Sequence, residues 1–568
     1  MSISVASSIA LSALRSAQVG INVTSSNIAN ADVDGYTVKT ANQVSTVSGS
    51  KGAGTAISSI TGGVDKYVFA SLVSANADLG SASITASYTD QLQSLMGSTT
   101  GSDDGGTSIT TQMASLETAV TELASSPDDN STQSSLISAA DTLASQLRDI
   151  SSSISTLASN ADQQISDDVD TVNANLQKIA DYNTQITAGK QKGESTADLE
   201  DKRNSAVEAI SSLLDISTST TSSGVLYVTT TGGTTLVSSH AHELSVDANG
   251  SILVDGNKDI TSSITNGEIG GLLTLRDETL PDAQSELDTL ASKLISTVNA
   301  AVADGSSVPA PDSLTGTTDV SGVSSFSSSG TVRVALVDSD GKLTSYKDLD
   351  LSSYSSVDDL VSALDAVDGI SASVDSNGKL TISSDTDGSG VSIGAKDSSI
   401  NGQSFSSFFG LNSVFTGSSA SNIQVSSGLL KDSGTLAVGT LSTDVTTTGK
   451  TVLTSGSTTV ADALNSALTT SYSYSAVGSI GSMSGTLTDY ASRVVSAFAS
   501  RASTAEDSET TANTLQSSLS STIASQSGVN VDEETSKLED YQTLYSAAAQ
   551  VIQAAKDMFD TLLAAVKS

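Results

Sequence analysis

The chain has 568 residues, 63 acidic against 25 basic side chains, a net charge of −38, and neither cysteine nor tryptophan. The acidic excess argues against binding to nucleic acid or to anionic membranes, because both need clustered lysine and arginine. Without cysteine there is no disulfide framework, cysteine zinc cluster or thiol nucleophile, and no run of about 18 apolar residues predicts a membrane span.

The N-terminal segment has a helical pattern from Ile3 to about Ile28. Large apolar and small residues each recur at intervals of seven, which predicts that they alternate on one packing face. The large residues are Leu14, Ile21 and Ile28, and the small ones are Ala10, Ala17 and Thr24. The stretch NIANADVDGY then ends the helix, because asparagine and aspartate side chains compete for backbone hydrogen bonds and Gly35 can adopt a positive φ.

Further long helices follow in the first third of the chain. Helical spacing covers about residues 64–96 and resumes near Ser108. A helix is predicted from about Ser131 to Ala188, which would be on the order of 80 Å long at 1.5 Å per residue. That length is typical of a rod rather than of an ordinary globular domain. Another helix is predicted over Leu199–Leu214.

From about Ile216 the apolar period changes to two, which indicates strands. Hairpins are predicted around Gly232-Gly233 and in LSVDANGSILV, where Asn249-Gly250 would form a primed turn. A helix from about Ala283 to Val302 precedes a mostly β block, residues 305–478. In that block TVRVALVDSDGKLTSY and ISASVDSNGKLTIS read as hairpins on either side of a short helix, VDDLVSALDAV.

The C-terminus has the most regular pattern in the chain. Apolar residues follow each other in alternating steps of three and four, an unbroken heptad seam, at Leu538, Tyr541, Tyr545, Ala548, Ile552, Ala555, Phe559, Leu562 and Val566. A second helical region, about Leu487–Ile523, precedes it. Asn530 or Asp532 can cap the last helix.

These patterns predict an α+β multidomain chain with paired N- and C-terminal coiled-coil helices, a long helical rod domain and an inserted β-rich outer domain. The alternative is two independent amphipathic helices on one globular core. The predicted segments are an N-terminal axial helix (1–40), a helical rod part (41–215), a β-hairpin subdomain (216–271), a return helix (272–304), the outer domain (305–479), a second rod part (480–529) and a C-terminal axial helix (530–568).

A motif of the form N-I-A-N followed by G-Y or G-F is filled by Asn27, Ile28, Ala29, Asn30, Gly35 and Tyr36. On these residues the chain resembles the rod and hook family of bacterial flagellar axial proteins. Thr37 also matches, whereas Val38 stands where arginine is common. Three more segments are similar to the hook-associated proteins of the hook–filament junction: LEDKRNSAVEAISSLLDISTS, NGEIGGLLTLRDETLPD and SGVNVDEETSKLEDYQTLYSAAAQVIQAAKDMFDTLL. The resemblance covers about residues 1–304 and 480–568.

The resemblance implies a structural adaptor that joins hook to filament and forms a ring through its terminal helices. The implied partners are other copies of the chain, hook protein, an adjoining junction protein, the filament and a cytoplasmic export chaperone. Export through the flagellar channel would make the chain cytoplasmic at first and extracellular afterwards. The residues expected to contact subunits or chaperone are Leu14, Ile21, Ile28, Leu538, Tyr541, Tyr545, Ile552, Phe559, Leu562 and Val566. The alternatives are a flagellar hook protein, a flagellin-like filament subunit, or an unrelated adhesin or enzyme.

Candidate chemistry is sparse. His240 and His242 could share one face of a strand, but a structural metal site needs about four ligands, so two surface histidines are the simpler interpretation. DSDGK and DSNGK resemble the start of a calcium loop but lack its last bidentate carboxylate, and hairpin turns explain them better. No phosphate loop or nucleophile elbow is found. We therefore expect no enzyme activity, no metal and no cofactor.

Overall fold

The structure is a computed structural model that describes residues 3–48, 51–97 and 108–567. The helices are α1 Ile3–Ala29, α2 Lys66–Leu95, α3 Ile109–Ser125, α4 Asn130–Lys192, α5 Ala197–Ser211, α6 Gly267–Thr274, α7 Leu280–Val302, α8 Val357–Asp365, α9 Phe405–Phe409, α10 Ser427–Lys431, α11 Thr459–Thr469, α12 Leu487–Ser527 and α13 Val531–Lys567. The predicted α+β multidomain class, with paired terminal helices, is confirmed.

The strands are short and antiparallel. They are β1 Thr40–Ser48, β2 Lys51–Thr61, β3 Ile216–Thr220, β4 Leu226–Thr230, β5 Thr235–Val237, β6 Leu244–Val246, β7 Ile252–Val254, β8 Lys258–Asp259, β9 Ser313–Thr315, β10 Ser328–Ser329, β11 Thr331–Asp338, β12 Leu343–Asp350, β13 Ile370–Val374, β14 Leu380–Ser384, β15 Ser389–Gly394, β16 Ser399–Ile400, β17 Phe415–Thr416, β18 Gln424–Val425, β19 Tyr472–Tyr474 and β20 Met483–Gly485. They form sheets of two or three strands, such as β3-β4-β5, β6-β7-β8 and β12-β11-β15.

The chain divides into two compact units. Unit 1 contains residues 1–88, 159–276 and 503–568, and unit 2 contains residues 89–158 and 277–502. Unit 1 therefore contains both terminal helices. The seven-segment division made from the sequence remains a prediction.

Helix α4 is the long helix that the sequence predicts, and it has 63 residues. It begins beside Asp129, whose Oδ1 accepts a hydrogen bond from the Ser131 amide at 2.8 Å. Its inward residues recur at helical spacing and are fully buried, among them Leu143, Leu147, Ile165, Val172, Leu176 and Ile179. Periodic burial of this kind explains why such a polar sequence forms so long a helix.

The helix predicted at about Ala283–Val302 begins earlier than expected. Helix α6 starts at Gly267 and continues through a π-helical turn, Leu275–Thr279, into α7. The sequence prediction missed α6 because glycine disfavours helices. At Gly271 the structure shows why glycine is needed. A Cβ there would lie only 2.9 Å from the carbonyl oxygen of Ser81 in α2, so a larger residue would not fit.

Three hairpin turns share one design. Asp247, Asp338 and Asp375 each accept hydrogen bonds from the amides two and four residues later. In each turn the glycine three residues after the aspartate has a positive φ; it is +77° at Gly250. The predicted primed turn at Asn249-Gly250 is wrong, because that turn type needs positive φ at both residues and Asn249 does not have it. The Asp247 carboxylate instead stabilises a turn in which Gly250 has a positive φ and Asn249 does not.

The segment 305–479 contains more than strands. An apolar core of 21 buried side chains, drawn from Leu314 to Leu411, lies around the β-strands. By contrast, α11 packs against α3 and α7. Phe415 also packs toward α7, because Asn299 exchanges two hydrogen bonds with the Phe415 backbone, at 2.7 and 2.9 Å. Part of the predicted outer block thus belongs to the helical packing of unit 2.

Candidate functional site: the terminal helix pair

Helices α1 and α13 form an antiparallel pair in unit 1. Asn27 Nδ2 donates to Glu534 Oε2 at 2.7 Å. One heptad along, a Cβ on Gly20 would lie 2.6 Å from the ring of Tyr541. From the first contact to the second, the residue number falls by seven on α1 and rises by seven on α13. The two contacts therefore belong to one antiparallel register, which places Ile3 opposite Met558.

The contact face of α1 consists of small residues. The fully buried positions include Ala10, Ala17, Gly20, Thr24 and Asn27, and half-buried Ala13 completes steps of three and four. The facing seam of α13 carries larger side chains, including Leu538, Tyr541, Tyr545 and Ile552, with Ala548 and Ala555 buried between them. Large residues on one helix therefore fill the space above small residues on the other.

The residues singled out on α1 lie beside this contact face. Leu14, Ile21 and Ile28 are half-buried, whereas the small companions Ala10, Ala17 and Thr24 are buried. The large and small residues therefore lie on adjacent stripes of α1.

The residues singled out on α13 divide into two groups. Leu538, Tyr541, Tyr545 and Ile552 are half-buried, whereas Phe559, Leu562 and Val566 are 57%, 53% and 83% exposed. These three lie past the residue opposite Ile3, so the described part of α1 does not reach them. We call the side chains of Phe559, Leu562 and Val566 the overhang.

Asn27, the first residue of the motif, is fully buried and uses its whole side-chain amide. Its Nδ2 donates to the Lys39 carbonyl at 2.9 Å and to Glu534. Its Oδ1 accepts from the Lys39 amide at 3.0 Å and from the Tyr36 hydroxyl at 2.9 Å. The side chain thus joins α1, the segment after it and the start of α13, which is more than an ordinary helix end requires.

The other motif residues shape the turn after α1. Asn30 Nδ2 donates to the Ser26 carbonyl at 2.8 Å, and Gly35 has φ +74°. Ile28 and Tyr36 are half-buried and Ala29 is exposed. Burial, and then the nearby carboxylates of Asp198, Asp201 and Glu534, raise the pKa of Tyr36, so its hydroxyl remains a donor to Asn27.

Sequence reasoning missed the buried ion pair beside the motif. The ammonium of Lys39 contacts Asp201, and both side chains are less than a tenth exposed. Asp201 also accepts from the Thr37 amide at 2.9 Å and from the Thr37 hydroxyl at 2.8 Å. The signal was available, because Thr37 and the LEDKR stretch both belong to the segments that carry the resemblance. The structure shows that they bind each other.

The start of α13 is fixed on its other side. Asn530 Oδ1 accepts from the amides of Asp532 and Glu533 at 3.1 and 3.3 Å, so Asn530 is the cap, one of the two predicted possibilities. Lys537 donates to Glu534 Oε1 at 3.0 Å. The Val38 amide donates to the Ser527 carbonyl at 2.8 Å. Both ends of the connection between α12 and α13 are therefore held beside the motif.

The remaining candidate residues form no comparable site. The rings of His240 and His242 lie 4.8 Å apart, and His242 Nδ1 lies 2.7 Å from Asp255 Oδ2. That hydrogen bond lowers the pKa of Asp255. Within residues 3–48, 51–97 and 108–567, no three His, Cys, Asp or Glu side chains are grouped to hold a metal ion. No helix in those ranges is long and apolar enough to span a bilayer.

Comparisons with known proteins agree with this picture. Residues 89–313 match the helical domain of flagellar hook-associated protein FlgK, residues 8–37 match the flagella basal body rod protein, and residues 521–565 match the C-terminal part of the flagellar basal body rod FlgEFG protein. Flagellar hook-associated protein 1 of Escherichia coli K12 is 26% identical over 303 residues, 50% of this chain and 54% of that protein.

Over residues 89–313 the chain is similar to the flagellar hook-associated protein FlgK family. A second relative, flagellar hook-associated protein 1 of Salmonella typhimurium, is 27% identical over 310 residues, 51% of this chain and 55% of that protein. The match thus spans about half the length of these curated relatives. The solved flagellar hook junction protein FlgK from Burkholderia pseudomallei has a similar fold, with a TM-score of 0.51 at 18% identity over 79% of this chain and 98% of that one.

Proposed function

We propose that this chain is a structural adaptor of the bacterial flagellum that joins hook to filament. The observation that carries the proposal is the overhang: the side chains of Phe559, Leu562 and Val566 continue the paired seam of α13 but remain exposed among the described residues. The match of residues 89–313 to the FlgK helical domain supports the proposal, as do the names of the relatives. The two rod-protein matches fall on α1 and α13, the helices that form the pair.

In this proposal the overhang packs against neighbouring subunits of a ring. Each large apolar side chain gains roughly 1.5–3 kcal/mol on full burial. Phe559, Leu562 and Val566 repeat the three-and-four spacing of the paired seam, so a further helix fits them best. Other copies of the chain, hook protein, the adjoining junction protein and filament would supply such helices outside the cell.

The same face would need protection before export, because exposed apolar patches promote aggregation. We propose that a cytoplasmic export chaperone covers it and is released before assembly, since one surface cannot contact both partners. This step is separate from the junction role and needs its own measurement.

The experiment is complementation of a deletion strain with Phe559→Asp/Leu562→Asp, which places two charges in the proposed contact. We expect hooks to persist, filament subunits to appear in the medium and swimming to be lost. The matched control is Lys556→Ala/Asp560→Ala, whose side chains are exposed on the same helix. Pull-down of the chaperone with both variants tests the second step. Normal swimming and undiminished chaperone binding by the Asp variant would contradict both steps.

The second candidate is another axial role, as hook protein or as filament subunit, and the rod-protein matches at both ends favour keeping it. The deletion strain distinguishes the roles. Loss of hooks would indicate a hook protein, whereas recovery of the chain as the main protein of sheared filaments would indicate a filament subunit.

A further inference from the structure

The contact faces of α1 and α13 both repeat every seven residues, so their apolar residues do not define one alignment. Shifting α13 by one heptad toward the C-terminal end of α1 would place Ala555 opposite Ala13 and Leu562 opposite Ala6. Phe559 would then lie opposite Ile9. The shifted pair would cover Phe559 and Leu562 and leave Leu538 past the end of α1. Because it covers two large apolar side chains and uncovers one, the hydrophobic contacts alone favour it.

Two contacts within the helix pair oppose this shift, in addition to the short connection, residues 528–530, that joins α13 to α12. Glu534 would lie past the end of α1, and its buried carboxylate, 3% exposed, would lose Asn27. Tyr541 would leave Gly20 and meet Asn27, whose amide is already fully used. A buried polar pair in an otherwise apolar helix interface is known to fix register at some cost in stability.

We infer that the Asn27–Glu534 hydrogen bond and the Gly20–Tyr541 contact are a register lock, which keeps α13 one heptad out of its most buried alignment and so leaves the overhang open. Gly20 is the one glycine in the sequence of α1, so the ring of Tyr541 fits closely at a single position. The inference concerns this chain alone and stands whether or not the chain acts at the junction.

Disulfide trapping tests the inference cleanly, because the chain has no cysteine of its own. Ala13→Cys/Ala548→Cys reports the observed register and Ala13→Cys/Ala555→Cys reports the shifted one. In the otherwise unchanged chain we expect at least tenfold more of the first intramolecular disulfide. In the Asn27→Leu/Glu534→Leu background we expect that excess to fall at least tenfold.

Two controls separate the lock from general helix effects. Glu534→Gln keeps an acceptor for Asn27 and should keep the original excess. Asn22→Leu/Glu533→Leu makes the same kinds of change at exposed positions of the same helices and should also keep it. If the Asn27→Leu/Glu534→Leu variant retained the tenfold excess, the buried hydrogen bond would not select the register and the inference would be overturned. A variant in which neither disulfide forms would also overturn it, since the contact would then hold the helices together without selecting their register.

A second measurement needs no paired cysteines. Phe559→Cys should react with a thiol reagent at the rate of an exposed thiol in the original background. Its reaction should slow at least threefold with Asn27→Leu/Glu534→Leu, because the shift covers residue 559. An unchanged rate would also contradict the lock.

Discussion

Two carboxylates lie near the ammonium of Lys39, and they differ in burial. The side chain of Asp201 is 8% exposed and contacts Lys39 directly, whereas that of Asp198 is 74% exposed and lies 3.9 Å away. Removing one partner of a buried ion pair leaves an uncompensated charge in a low-dielectric site, whereas exposed pairs contribute little. Their roles should therefore differ although they are three residues apart.

Asp201→Ala should lower the free energy of unfolding by about 3–5 kcal/mol. The loss arises because the substitution strands Lys39 and removes both bonds to Thr37. Asp198→Ala is the matched control and should cost less than about 1 kcal/mol. Urea denaturation followed by circular dichroism measures both. Equal losses of unfolding free energy would show that the buried Lys39–Asp201 pair contributes no more stability than the exposed Asp198.

Asp168 on α4 is half-buried, and its Oδ2 has no hydrogen-bond partner among the described residues. Burial, together with the charges of Glu268 and Asp167, raises the pKa of Asp168 from 3.8 to about 7. Because the folded chain then binds more protons than the unfolded chain between those two values, stability falls as pH rises through this window.

Asp168→Asn removes the ionisable group, so the variant should melt at a higher temperature than the parent at pH 8. The difference should shrink toward pH 4, because the folded carboxyl is then protonated and the unfolded one, with a pKa of 3.8, has begun to bind its proton. Asp170→Asn, at an exposed position on the same helix, is the control and should show no such trend. Calorimetry from pH 4 to pH 8 checks it, and a difference independent of pH would contradict the assignment.

At the scale of elements, α2 owes its place in unit 1 to a close backbone contact. A Cβ on Gly80 of α2 would lie 2.0 Å from the carbonyl oxygen of Ser212 and 3.1 Å from the Glu268 amide. The Glu268 amide itself donates to the Ser212 carbonyl at 2.9 Å. The end of α5, the start of α6 and the middle of α2 thus meet where only glycine fits.

Gly80→Ala should therefore destabilise the chain by about 1–3 kcal/mol, since overpacking outweighs the better helix propensity of alanine. Gly428→Ala is the contrasting change, because the exposed Gly428 in α10 has no close neighbour beyond the Ser426 hydroxyl at 3.9 Å. There alanine should gain up to about 1 kcal/mol. Thermal denaturation measures whether each variant is stabilised or destabilised. A stabilised Gly80→Ala variant would refute the close contact.

At the scale of the whole molecule, the segment that forms the β core of unit 2 begins and ends at two residues that lie next to each other. The Thr317 amide donates to the Gly410 carbonyl at 3.1 Å. Residues after Gly410 pack with the helices instead. Phe415, Leu464 and Leu468 line one apolar cavity with side chains of α3, α4 and α7. The part that can be removed is thus smaller than the sequence block 305–479.

Joining Thr317 directly to Gly410 should leave the helical circular dichroism of the remaining chain intact. Deleting residues 305–479 should reduce it, because the deletion takes α11 and Phe415 away from α3 and α7. Spectra at 222 nm per remaining residue compare the two. If the two deletions gave the same helical signal, the packing role of α11 would be refuted.

Much of this fold could be predicted from the sequence, because regular spacing reports burial directly. The heptad steps of α13 and the inward residues of α4 are examples. Paired seams could also be foreseen, but their register could not, since it depends on Gly20 meeting Tyr541 from the other end of the chain. The Lys39–Asp201 pair was hidden for the same reason: 162 residues separate the partners, and neither has a local signature of burial.

The Asn27–Glu534 contact closes a loop of 507 residues, which has a consequence for the order of folding. For a disordered chain, closing such a loop costs about 5–6 kcal/mol of entropy. Once Thr37 is bound to Asp201 and Val38 to Ser527, only short segments remain free. Those contacts have then already removed most of the chain entropy that closing the loop requires. The two ends of the polypeptide should therefore pair last during folding and separate first during unfolding, while the rest of unit 1 stays intact.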